Sequence, residues 1–105
     1  RTGLIEEALE NYNQALKINP NYEIVHRNIA LIYLDKNIDF TKAEYHLTKA
    51  IEIDPRYLNA YVTRSSLYRK MAMKETDASK KAQLQEKALS DTKIAQKLKD
   101  NDSQK

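Results

Sequence analysis

The stretch E-A-L-E-N-Y-N-Q-A-L-K-I-N-P-N-Y, residues 7–22, lies in register over K-A-E-Y-H-L-T-K-A-I-E-I-D-P-R-Y, residues 42–57. Ala8, Ala15, Ile18, Pro20 and Tyr22 return as Ala43, Ala50, Ile53, Pro55 and Tyr57, a spacing of 35 residues. The small and apolar positions are kept while the charged ones drift. A repeat of this length is one supersecondary unit that cannot bury its own apolar face and stacks on a copy of itself. Such repeats present an extended surface rather than an enclosed pocket, so the first implication is binding rather than chemistry.

The spacing within each copy is helical. Ile5, Ala8, Leu9, Tyr12, Ala15 and Leu16 fall on one face of a helix over residues 4–18. Pro20 stops it, because proline has no amide hydrogen and disfavours helical geometry in the residue before it. Asn19 is expected to cap a second helix running from about Tyr22 to Asp35, with Val25, Ile29, Ile32 and Tyr33 inward. Lys36-Asn37-Ile38-Asp39 supplies a turn, and Asp39 is placed to cap a third helix with Ala43, Leu47, Ala50 and Ile51 on one face. Asp54-Pro55 repeats the stop. Leu58, Tyr61, Ser65, Tyr68 and Ala72 mark a fourth helix, and Leu84, Ala88, Ala95 and Leu98 a fifth, over about 78–99. Residues 100–105 are polar and expected to fray. No alternating run suggests a strand.

Alanine, an aromatic four residues on, alanine three later and proline five later describe Ala8-Tyr12-Ala15-Pro20. This resembles the second helix of a tetratricopeptide repeat (TPR). The register returns as Ala43-Leu47-Ala50-Pro55. Positions of the first TPR helix are matched by His26-Ile29-Ala30-Tyr33 and by Tyr61-Arg64-Ser65-Tyr68, where Arg64 departs from the usual leucine. The resemblance implies an all-α array of antiparallel helix-turn-helix repeats in a right-handed α-solenoid. About two and a half repeats are expected in a single domain over residues 1–99: residues 1–20 as the second helix of a truncated repeat, 21–55 as a full repeat, and 56–99 as a repeat with an elongated hairpin. The elongation follows from Ala43 to Ala88, 45 residues where one repeat allows 35. A separate loop or short helix over 71–85 is the alternative.

In the TPR family the first helix of each repeat lines a concave groove for a peptide or partner helix. Carried onto this chain, the groove positions are Ile24, Arg27, Asn28, Leu31 and Asp35, followed by Asn59, Val62, Thr63, Ser66 and Lys70. Ile24, Leu31 and Val62 offer apolar contact, Asn28 and Asn59 can hold a peptide backbone, and Arg27 and Lys70 can pair with acidic groups. One TPR subclass holds the C-terminal carboxylates of heat-shock chaperones. Asn28 matches one of its positions, but Asn59 and Thr63 stand where Lys and Arg would be needed, so that role is not expected. The implied function is a non-catalytic protein-interaction module, a scaffold or adaptor part of a larger protein, with no cofactor.

Composition agrees. The 105 residues hold no cysteine, one glycine and two prolines. That removes disulfides and thiolate metal sites and fits a reducing, intracellular and cytoplasmic setting. No apolar run approaches the roughly 20 residues of a membrane span. The chain begins at Arg1 rather than Met and is read as an excised part of a longer protein, whose cut end is expected to promote self-association. His26 and His46 are 20 residues apart on different helices, so a packing role for His26 is expected and no metal site. Ser65-Ser66 has no base beside it in any motif, and no glycine loop is present. Residues 1–68 carry 8 basic and 9 acidic side chains, residues 69–105 carry 10 and 6. The basic last hairpin is the ground for the alternative, a nucleic-acid-binding helical repeat. Its lysines alternate with acids and lack interleaved aromatics, and most tyrosines fall on core or junction positions. Nucleic acid is therefore not the expected partner.

Overall fold

The computed structural model describes the backbone of residues 2–103. Five helices follow one another: α1 (Thr2–Ile18), α2 (Glu23–Asp35), α3 (Phe40–Ile53), α4 (Leu58–Lys74) and α5 (Ala78–Ser103). No strand occurs among the described residues. The protein is all-α and built of TPR-like helical hairpins. The helices fall into two compact units, Arg1–Pro55 and Arg56–Lys105.

In the first unit α2 packs on α3 and, less extensively, on α1. Val25, His26, Ile29, Ala30 and Leu34 of α2 are buried, as are Ala43, Leu47 and Ala50 of α3. Ala43 and Ala50 are wholly covered, since a methyl group is all the space between closely set helices allows. Ala15 is half-buried. Ile32 and Tyr33, expected inside, are half-buried, and Leu34 takes the core position instead.

The turn between α2 and α3 satisfies helix-end groups from both sides. Asn37 has φ 53°, the left-handed conformation that asparagine tolerates better than most residues. Its amide donates to Leu34 O at 3.1 Å and the Ile38 amide donates to Tyr33 O at 3.0 Å. These are the paired bonds of a Schellman ending. Asp39 then caps α3 as expected, accepting from the Lys42 amide at 3.1 Å. Asn19 does not cap α2. Its Oδ1 accepts from the Asn21 amide at 3.1 Å, shaping the loop, and Tyr22 holds the cap position without a side-chain bond.

The second unit is the hairpin of α4 and α5. Both helices are long, 17 residues in α4 against 13 in α2, and 26 in α5 against 14 in α3. The 71–85 stretch is thus mostly added helix, broken only by a tight turn. In that turn Glu75 Oε2 accepts from the amides of Thr76 and Asp77, and Asp77 Oδ1 accepts from the Ser79 amide, capping α5. Residues 100–103, expected to fray, continue α5 as helix; Gln104 and Lys105 lie outside the described residues. Gln96 Nε2 donates to Asp100 Oδ1 at 2.9 Å, one turn on, and helps carry the helix past Lys99.

Candidate functional site

Burial divides the proposed partner-facing residues within each helix. On α2, Ile24 is 47% exposed despite its branched apolar side chain. Asp35 is exposed, and Arg27, Asn28 and Leu31 are half-buried. On α4, Val62 is 46% exposed, Asn59 is exposed, and Ser66 and Lys70 are half-buried. Thr63 is the most covered of these residues. It is only 5% exposed, and its hydroxyl donates to the Asn59 carbonyl one turn back at 2.8 Å. A hydroxyl that bonds the carbonyl one turn back is a local contact within its own helix.

Arg64 occupies a core-type position of α4 and finds its partner on α5. Its Nε and Nη2 donate to Asp91 Oδ2 and Oδ1 at 2.8 and 2.9 Å, a two-pronged pair. The hydrogen bond that Arg64 donates to Asp91 is the main cause that raises the Arg64 pKa above its usual value, against the opposing effect of burial. Arg64 also sits 5.9 Å from the centre of the Tyr68 ring. Beside the pair, Ser65 Oγ donates to Ala88 O at 3.0 Å and lies 2.7 Å from Thr92 Oγ1. Ser65 and Asp91 are therefore polar residues held in a helix seam.

The residues that sequence reading missed are in the first unit. His26 on α2 and His46 on α3 meet with Nδ1 atoms 3.0 Å apart. His26 Nε2 lies 3.0 Å from the Pro20 carbonyl, to which it must donate. Tyr33 stacks on the His46 ring and Tyr45 meets it edge-on, at centroid distances of 6.4 and 5.1 Å. Burial first, then the nearby charges of His26 and Lys42, push the His46 pKa down to about 4. The pair lies in the wall of a cavity of about 860 Å³ whose lining also includes Leu16, Tyr45, Lys49 and Glu52. A spacing of 20 residues across two helices carries no recognisable motif. Only the hairpin geometry brings the rings together.

Residues 2–37 match the family model of the TPR repeat. Over that segment the chain is similar to a TPR repeat. The matched segment covers α1, α2 and the start of the turn after α2, about a third of the chain. The α2–α3 hairpin continues the TPR pattern with the buried small residues Ala30, Ala43 and Ala50. No curated protein sequence matches the chain. TPR repeats generally mediate protein–protein interaction and form a non-catalytic module. No helix among the described residues is long and apolar enough to cross a membrane.

Proposed function

We propose that this protein is a non-catalytic scaffold or adaptor that receives an extended peptide or a partner helix on the first-helix faces of its repeats. Ile24, Arg27, Asn28, Leu31 and Asp35 would make the contacts on α2, and Asn59, Val62, Ser66 and Lys70 those on α4. The observation that carries this reading is Ile24, a large apolar side chain left 47% exposed on the helix whose opposite face supplies the core. Around it stand an amide at Asn28, a cation at Arg27 and a second apolar group at Leu31. Apolar anchors with nearby backbone-binding and charged groups suit a peptide ligand. A cytoplasmic setting and the lack of enzymatic activity belong to the same reading.

The test is selection of peptides from a displayed library on the chain, followed by affinity measurement on variants. Ile24→Asp and Arg27→Glu are expected to weaken the selected peptide by more than about tenfold, the loss of one anchor. Unchanged affinity in both variants would remove α2 as the docking face. Selection that yields nothing, together with sequence-selective RNA binding that persists at raised salt, would favour the nucleic-acid reading instead.

A further inference from the structure

His26 and His46 are not used by the partner-facing helix surfaces, and they form a chemically distinct pair. The His26 ring is anchored: a carbonyl has no hydrogen to give, so the 3.0 Å contact with Pro20 requires the proton on His26 Nε2. In the neutral ring that leaves a lone pair on Nδ1, facing His46 Nδ1 at 3.0 Å. The ring centroids are 5.3 Å apart, longer than the nitrogen separation by about two ring radii, so both nitrogens lie close to the line between the rings. The two Nδ1 positions thus face each other along one axis.

We propose that His26 and His46 form a linear two-coordinate site for a soft monovalent cation, Cu(I) or its analogue Ag(I), held between the two Nδ1 atoms. The ion takes the place of the proton the rings share. The His46 proton moves from Nδ1 to Nε2, both imidazoles stay neutral, and no redox step is involved. Metal–imidazole bonds of about 2.0 Å placed end to end need about 4 Å, so the rings must part by about 1 Å. The half-buried His46, in the wall of a cavity of about 860 Å³, has room for that movement, while His26 is held by Pro20. The Pro20 carbonyl supplies the outer hydrogen bond that orients a metal-bound imidazole.

The choice of ion follows from what surrounds the pair. Among the described residues no group of three or more His, Cys, Asp and Glu side chains comes together to hold a metal. A tetrahedral Zn²⁺ site is therefore lacking in ligands, whereas imidazole nitrogen suits copper. The positive charge of Lys42 is felt at His46, and it opposes a divalent ion more than a monovalent one. Because burial and these charges disfavour protonation of His46, protons compete weakly for the site at neutral pH.

The experiment is an anaerobic titration of the whole chain with Cu(I) buffered by a chromogenic chelator, followed by nitrogen NMR of the histidine rings. One equivalent is expected to shift the Nδ1 signals of both histidines. Met71 and Met73 offer thioethers to the same ion, so the histidine signals, rather than total copper bound, decide the result. His46→Gln is expected to weaken the histidine-linked binding by more than about tenfold. His26→Gln should do the same, and if that variant fails to fold by circular dichroism, the His46→Gln result decides. Nδ1 signals unmoved at one equivalent, or wild-type affinity in His46→Gln, would overturn the site. A Zn²⁺ response as strong as that to Cu(I) would overturn its linear geometry.

Discussion

The Nδ1 atoms of His26 and His46 stand 3.0 Å apart across the α2–α3 hairpin, and the Nε2–H of His26 is committed to Pro20. With both rings neutral, His46 must donate through its own Nδ1–H. This arrangement accepts one further proton poorly at His46, whose ring lies between Tyr33 and Tyr45 and near the charges of His26 and Lys42. The folded His46 pKa of about 4 lies below the 6.5 of the unfolded chain. Stability is therefore full above pH 6.5 and falls as pH drops from 6.5 towards 4, because the unfolded state takes up the proton first. After discounting for the solvent that reaches this half-buried ring, the loss is about 1–2 kcal/mol. NMR titration of the His46 ring should give a midpoint near 4; a midpoint near 6.5 would refute the proton arrangement.

Arg64 and Asp91 predict an asymmetric response to substitution. Asp91 is almost fully buried and Arg64 partly so, with side-chain exposures of 4% and 18%. Asp91→Ala leaves a guanidinium without its main partner in the seam and should cost about 2–4 kcal/mol in urea unfolding of the second unit. The double change Arg64→Leu/Asp91→Leu, which also restores the leucine usual in TPR helices, should be close to neutral or stabilising. A double variant as unstable as Asp91→Ala alone would show that the pair contributes more than its own desolvation costs.

The α2–α3 turn can be tested at two neighbouring residues. Asp39→Ala removes the cap on the Lys42 amide and should cost about 1 kcal/mol, whereas Asp39→Asn should keep most of it. Asn37→Gly should be neutral or slightly stabilising at φ 53°, and Asn37→Val should cost about 1–2 kcal/mol because a β-branched residue fits the left-handed region poorly. Equal melting temperatures for the Gly and Val variants would contradict the turn geometry.

Ala43 and Ala50 set the closeness of α3 to α2. Both are fully buried, so Ala43→Leu or Ala50→Leu overfills the seam and should destabilise by about 1–3 kcal/mol. Ala78→Leu, at an exposed start of α5, is the matched control and should change stability little. Chemical denaturation of the three variants compares them; equal stability would mean that helix spacing does not depend on these methyl groups.

Much of the fold was legible because it depends on local rules. The prolines at 20 and 55, the Asp39 cap and the recurring alanines mark helix limits and inward faces within a few residues of chain. The sequence left the stretch between Ala72 and Leu84 open between added helix and a loop, and the structure makes it helix on both sides of a turn. Asn19 misled, because an asparagine oxygen can close a loop on the amide two residues on as readily as cap a helix. A face assigned from spacing does not say which of its residues stay covered, and Thr63 is only 5% exposed.

The sequence by itself determined the helical repeat, its chain positions and its small-residue seams, because periodicity, proline stops and capping act over one or two turns. Tertiary structure alone decided that Arg64 meets Asp91 and that His26 meets His46. Those pairs are separated by 27 and 20 residues, and only hairpin closure fixes which side chains from facing helices share one low-dielectric space. There the requirement that buried polar atoms find partners determines protonation, charge and the chemistry open to them.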